Sequence, residues 1–415
     1  MMKYVKLAWR NMWRNGRRTL IASVAIVLGL ILLIFMDALI RGSDEAIYGN
    51  AVRLYGGNVQ VHAPGFRDKA RRLPLLPLED GDFVVEKVTE KPNVINASRR
   101  ITTGGMASSR EGAYPVSITA IEPDAEAAVS LIAENLSEGR FLTAEDGDNI
   151  LISRELADAL GVTVDDRITL LGRRKDESMR QRTMTITGIF DLGMGEAEKG
   201  LVYINLPVAQ TLYNLRGQET EVAVTLERIG QEEALMESLE PSLPGYEVDS
   251  FYTLQPEIQQ ALETKSTFTA ALGFIVLLMA SIGILNLMLM AVYERTREMG
   301  VLGALGMKGR QLMSLFMLEG TFIGVLGAVI GCTVSYLLVL WIGRVGINWS
   351  ALAGGEDLSA GGEVYALIGD TIYPTIPFTS LIYYGVAVVV IAAIASLLPA
   401  WQAARSEPAE SLHHV

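Results

Sequence analysis

Residues 293–311 read YERTREMGVLGALGMKGRQ, a short charged interruption between two long apolar runs. Its first half carries Glu294, Arg295, Arg297 and Glu298; its second carries Lys308 and Arg310 after the small residues Gly303, Ala304 and Gly306. The flanking runs, 266–292 with no charge and 311–343 with one, can each cross about 30 Å of hydrocarbon at about 1.5 Å per residue. The link is then a tight turn at a membrane face, and its four basic residues put that face on the cytoplasmic side. Binding sites collect on connecting segments, so this charged turn is a candidate docking surface; a solvated connector is the plainer reading.

The whole chain fits a mixture of spans and a large water-facing part: half of its 415 residues are hydrophobic, with mean hydropathy +0.30. One cysteine, Cys332, rules out an internal disulfide. The histidines are His62, His413 and His414, and no His/Cys/Asp grouping has metal-ligand spacing. No GxxxxGK[ST] phosphate loop, GxSxG elbow or HExxH pair is present. We therefore expect no catalytic residue, no metal site and no enzyme activity in this chain.

Residues 1–18 read as an amphipathic helix, with Lys3, Lys6, Arg10, Arg14 and Arg17 on one stripe and Val5, Trp9, Met12 and Trp13 on the other, suited to the headgroup layer. Span 19–40 follows six basic residues and no acid, which places the N-terminus in the cytoplasm. Residues 41–265 are then extracytoplasmic. Their mixed periodicity predicts strands at 58–62, 115–121, 149–153, 167–171, 183–190, 201–205 and 221–226, with helices at 154–160, 207–216 and 231–239. The acidic, glycine-bearing stretch 134–148 reads as a subdomain boundary, and 173–175 as a hairpin tip. From Pro256 a helical pattern runs unbroken into span 266–292, long enough to stand above the bilayer as a stalk. After the turn at 293–310 come span 311–343, an extracytoplasmic loop 344–378, span 379–399 and a cytoplasmic tail 400–415. The expected fold class is thus a four-span α-helical membrane protein with a large α+β extracytoplasmic domain, in two subdomains plus stalk, between the first and second spans. The three cytoplasmic segments hold eleven basic against four acidic residues, although the chain carries a net charge of −12. An acidic outer part disfavours nucleic acid.

Within span 311–343, Gly320, Gly324, Gly327 and Gly331 make one small-residue stripe for close helix packing. Glu319 beside it is a functional candidate as an intramembrane acid, or a carboxylate near enough to the interface to stay wet. The apolar outer ends of the first two spans, Phe35, Met36, Leu39, Ile40, Leu262, Phe268 and Leu272, are candidates to face a substrate, against lipid contact or dimer packing.

Several motifs in order carry a family likeness. Ala8, Arg10, Asn11, Arg14, Asn15, Arg18 and Thr19, the turn ERTREMGVLGALG (294–306), Glu319-Gly320 with the glycine stripe, and Pro399-Ala400 with Ala403-Ala404-Arg405 and Pro408 resemble the MacB/FtsX/LolC-type ABC transporter permeases. Glu138-Gly139-Arg140-Phe141 followed by 150–160 is similar to that family's extracytoplasmic domain. The resemblance covers essentially the whole chain and lies nearest the LolC/LolE lipoprotein-releasing branch, since no ATPase is fused to it. It implies a multi-pass subunit of the bacterial inner membrane, with both termini cytoplasmic, paired with a second permease chain as a homo- or heterodimer and with two copies of a separate ATPase. ATP and Mg would be bound by that ATPase, with no cofactor on this chain. A periplasmic carrier or adaptor and membrane lipids are further implied partners. Its coupling residues map to Glu294, Arg297, Glu298, Met299, Gly300, Leu302, Gly303, Ala304, Leu305 and Gly306. The branches differ in output: lipoprotein extraction, MacB-like efflux, or FtsX-like activation of a cell-wall hydrolase.

Overall fold

A computed structural model describes residues 2–14, 16–215, 217–294, 301, 306–348, 367–369 and 371–405. In chain order the elements are α1 (Met2–Arg14), α2 (Gly16–Tyr55), β1 (Val59–His62), α3 (Gly81–Thr89), β2 (Val94–Ser108), β3 (Ala113–Ile121), α4 (Pro123–Glu126), α5 (Leu131–Glu134), β4 (Leu136–Gly139), β5 (Asn149–Ser153), α6 (Arg154–Leu160), β6 (Arg167–Arg173), β7 (Met179–Phe190), β8 (Leu201–Asn205), α7 (Leu206–Leu212), β9 (Glu221–Leu226), α8 (Glu232–Leu239), β10 (Glu247–Ser250), α9 (Phe251–Leu254), α10 (Pro256–Glu294), α11 (Gly309–Val345), β11 (Ile347–Asn348), β12 (Thr371–Ile372), α12 (Phe378–Ala395) and α13 (Leu397–Arg405). They divide into a helical unit (Met1–Ser43, Glu263–Ile347, Ile372–Val415) and a sheet unit (Asp44–Leu262, Asn348–Thr371).

Among the described residues four helical stretches are long and apolar enough to cross a membrane: Thr19–Tyr55, Pro256–Met290, Gly309–Val345 and Phe378–Gln402. In the helical unit, Ile26, Leu30 and Ile34 of α2, Ile323 and Val339 of α11 and Val388 and Ala392 of α12 share one buried cluster. The first apolar run ends near Ile40, yet α2 continues to Tyr55. Charges at Asp44, Glu45 and Arg53 end the hydropathy signal, but no proline follows, and isolated glycines at 42 and 49 do not stop a helix. Similarly, α10 runs for 39 residues, about 58 Å at helical rise.

In the sheet unit, strand pairing closes on itself. The order β10-β1-β9-β2-β3-β8-β5-β7-β4 is joined by β6, which pairs with both β2 and β7, so β2, β3, β8, β5, β7 and β6 form a closed ring. The 15-residue β2 belongs to both halves: residues 94–100 pair with β9 and residues 101–108 with β3. Two cores follow, one inside the ring (Ile118, Ile152, Ile168, Met184, Ile186, Val202) and one under the β1/β9 end (Val59, Val61, Val84, Val222, Leu239). The division between them therefore runs along β2. The stretch expected as the boundary, 134–148, instead supplies β4, which pairs with β7. Helix α6 forms where its signals lie: the Ser153 hydroxyl accepts from the Leu156 N–H at 3.2 Å, and Gly161 at φ 62 closes it. The β6–β7 hairpin turns at 174–178, beside the basic run.

His62 is fully buried on β1, stacked on Phe66 at 3.6 Å, with Nε2 donating to Gln60 Oε1 at 3.0 Å. Burial lowers its pKa from 6.5 to about 4. Between those values the unfolded chain binds the proton and the folded chain does not, so stability falls as pH drops through this window, by about 3 kcal/mol in all. Glu198 and Glu219, raised by burial to about 7, slope the other way. The His62 share is therefore read as a difference: proteolytic stability of wild type minus His62→Asn should shrink between pH 6.5 and 4, and a flat difference would refute the buried neutral imidazole.

Candidate functional site: the hairpin and the helix that enters the sheet

Helix α10 ends at Glu294 and α11 begins at Gly309. Of the expected coupling residues between them, Arg297, Glu298, Met299, Gly300, Leu302, Gly303, Ala304 and Leu305 lie outside the described residues. Gly306 is described: its φ is +91°, and a Cβ there would meet no atom within 4 Å, so the bend is open and favours glycine. The α11 start is capped where the Lys308 N–H donates to Gln311 Oε1 at 2.9 Å. Val292, Leu312, Phe316 and Ala400 form a buried apolar cluster joined by Met307 and Met313. That cluster ties both flanks of the hairpin to α13. Helix α1 also rests on α11, with Ala8 buried and the Trp9 ring edge-on to Phe322 at 5.8 Å, while Lys6, Arg10 and Arg14 stay exposed.

Each stripe glycine of α11 has a neighbour at close range. A Cβ at Gly320 would lie 2.6 Å from Ser396 Cβ, and at Gly324 2.6 Å from Ala392 Cβ. At Gly327 and Gly331 it would lie 2.6 Å from Ile26 Cγ2 and 2.8 Å from Leu30 Cδ1. One stripe thus seats α12 with the turn after it at one end and α2 at the other. Glu319 is only 4% exposed and has a partner, so protein shields it and it does not stay wet. On α2, Asp37 accepts from Arg41 Nε at 2.9 Å and is hydrogen-bonded by Tyr384 of α12. The sequence carries no signal for that contact between residues 347 positions apart.

The candidate substrate-facing residues do not behave alike. Met36, Phe268 and Leu272 are exposed; Phe35, Leu39 and Ile40 are half-buried; Leu262, also half-buried, belongs to the sheet unit. Helix α10 leaves Phe274, Ile275, Leu278, Met279, Ile282 and Met290 exposed as well; Met288 and Val292 are buried.

Sequence reasoning missed the last turns of α2, which are built into the sheet unit. Ile47, Ala51, Val52 and Leu54 are at most 4% exposed. Tyr48 donates to Glu232 of α8, and its ring meets Phe251 at 5.6 Å and Tyr252 at 5.0 Å. Asn58 bridges the same carboxylate at 3.3 Å and accepts from the Leu226 N–H at 2.8 Å. Arg53 Nε donates to the Val129 carbonyl at 3.0 Å, and its guanidinium pairs with Glu134 at 2.6 Å. Burial and the Glu232 contact push the Tyr48 phenol far above its usual range, so it remains a donor. The arrangement does no bond chemistry; it makes the end of α2 a rigid part of the sheet.

The FtsX-like permease C-terminal family matches residues 270–408, and the MacB-like periplasmic core domain family matches residues 19–242. The lipoprotein-releasing system transmembrane protein LolC of Xylella fastidiosa (strain Temecula1) is 26% identical over 416 residues, covering 97% of this chain and 95% of that protein. The macrolide export ATP-binding/permease protein MacB of Hyphomonas neptunium is 25% identical over 366 residues, 83% of this chain but 54% of its own length. The crystal structure of the periplasmic region of MacB from Actinobacillus actinomycetemcomitans covers 49% of this chain and 94% of that one, at 13% identity and TM-score 0.35.

Proposed function

This chain belongs to the family of FtsX-like permeases with a MacB-like periplasmic core domain, the membrane subunits of ABC transporters, and on that footing we propose that it extracts lipoproteins or similar amphiphiles from the outer leaflet of the inner membrane. ATP, with its Mg, is bound and hydrolysed by two copies of a separate ATPase, which press on the turn around 294–306. The long helices carry that movement to the sheet unit, whose closure against a second permease chain expels a substrate towards a periplasmic carrier. No aqueous pore is required. The observation that supports transmission most directly is the unbroken α2 helix with its end locked into the sheet by Tyr48, Asn58 and Glu232. The exposed apolar side of α10 supports a covering partner, since apolar faces of this size are interaction surfaces or lipid contacts. Similarity to LolC over 97% of this chain, against 83% for MacB, favours extraction over efflux.

Two measurements test the reading. Gly303→Asp with Leu305→Asp should reduce permease-stimulated ATP turnover to the rate of the ATPase alone; turnover that survives removes the coupling assignment. Complex purified from native membrane should retain lipidated protein and release it on ATP addition. Release of a soluble drug or peptide through an adaptor, or switching of a cell-wall hydrolase with nothing released, would replace extraction by the corresponding alternative.

A further inference from the structure

Within the sheet unit, a cavity of about 340 Å³ opens on the face of the strand ring opposite its core. Side-chain alternation produces it. Val116, Ile118 and Ala120 of β3 and Val202 and Ile204 of β8 point into the ring, so Ser117, Thr119 and Tyr203 point the other way. Arg100 and Thr102 of β2 and Glu221 of β9 continue that floor, while Phe66, Leu73 and Leu254 make an apolar wall.

The polar floor is only partly occupied by the protein itself. Arg100 spends Nε and Nη2 on Glu126, both at 2.5 Å, and Thr102 donates to Glu221 at 2.9 Å. Tyr203, 4% exposed, and Thr119, 8% exposed, have no side-chain hydrogen bond among the described residues, and both face the cavity. Neither hydroxyl is sealed from solvent, so both stay open to the cavity and can donate to or accept from a molecule held there. Glu126 neutralises Arg100, burial favours the protonated form of Glu221 while Arg100 opposes it, and Glu257, the other carboxylate of the lining, is exposed and already has a partner, so no buried charge is left uncompensated. An anion would gain little from a guanidinium already paired with Glu126, and a cation little from carboxylates already engaged.

We propose that this cavity is a binding site for a small uncharged molecule that carries hydroxyl or amide groups on one face and hydrocarbon on the other, of about the size of one pyranose ring. Its volume and its mix of apolar wall and convergent polar groups are those of ligand sites. The site is also lined by Leu54 and Tyr55 at the end of α2 and by Gln255 and Glu257 at the start of α10, so an occupant touches both long helices where they join the sheet unit. The inference does not depend on lipoprotein extraction being the output.

The test is saturation-transfer NMR on the full chain in lipid nanodiscs, with three probes that share a ring and differ in charge: N-acetylglucosamine (neutral), glucosamine (cationic) and glucuronic acid (anionic). Transfer should be seen to N-acetylglucosamine and be at least several-fold weaker to the other two. Ser117→Leu, which fills the cavity from a half-buried position, should abolish it. Tyr203→Phe and Thr119→Val should each weaken binding roughly tenfold while leaving the thermal midpoint unchanged, because neither removes a hydrogen bond within the protein. Absence of transfer to the neutral sugar, equal transfer to all three, or transfer that survives Ser117→Leu would each overturn the proposal.

Discussion

Arg100→Ala is expected to destabilise the sheet unit by about 3–5 kcal/mol, a large share of the 5–15 kcal/mol typical of a domain. Arg100 is 5% exposed and Glu126 1%, and their two hydrogen bonds are joined by one from Ser98 to Glu126 at 2.6 Å. Burial works against both charges, but their attraction prevails, so the arginine is held above its ordinary value and the carboxylate below its own. Removing the cation strands Glu126 without a counter-charge in a place water does not reach. The pair sits on β2 where the strand passes from one core to the other, so the loss should be felt by both. Arg100→Met with Glu126→Leu, which removes both charges and keeps the volume, should recover most of the stability. Urea titration read by pulse proteolysis on the full chain measures each step. A single-mutant loss below about 1 kcal/mol would mean that the pair is solvated.

In the helical unit the largest effects should come from Gly324→Leu and Gly327→Leu, each costing roughly 3 kcal/mol. The first carbon of either new side chain already falls 2.6 Å from Ala392 Cβ or Ile26 Cγ2, so α12 or α2 must move away. In lipid, close approach and dispersion carry much of helix association, and separation forfeits both. Gly283→Leu on α10 is the control, since a Cβ there meets nothing within 4 Å. Cys332, the single cysteine of the chain, makes the assay convenient: a thiol-reactive fluorogenic dye reports thermal exposure of that one site in the cluster. Equal melting curves for Gly327→Leu and Gly283→Leu would dismiss the stripe as a packing device.

These two sites show why parts of the molecule were legible and others not. The glycine stripe is a matter of spacing along one helix, and its neighbours then followed from the packing of α11. The short strands 149–153, 201–205 and 221–226 were legible because apolar, β-branched residues crowd into five or six positions. By contrast β2, the strand that joins the two cores, reads as a polar, glycine-broken segment. Its Arg100 faces a polar cluster, and its Gly105 must be bare because a Cβ would lie 2.4 Å from Ile118 Cδ1 and 2.5 Å from the Leu171 carbonyl. Neither requirement leaves a local pattern.

Four apolar helices and a large part of mixed α and β pattern were decided by the sequence alone, because hydropathy and side-chain periodicity are properties of neighbours along the chain. Closure of the strand ring, the path of α2 past Ile40 into the sheet and the pairings of Tyr48 with Glu232 and Arg100 with Glu126 were decided only in three dimensions. Each joins groups 26 to 184 positions apart, or rests on a helix persisting after its apolar run has ended. Burial against a distant partner, and not local preference, supplies the free energy that makes those choices.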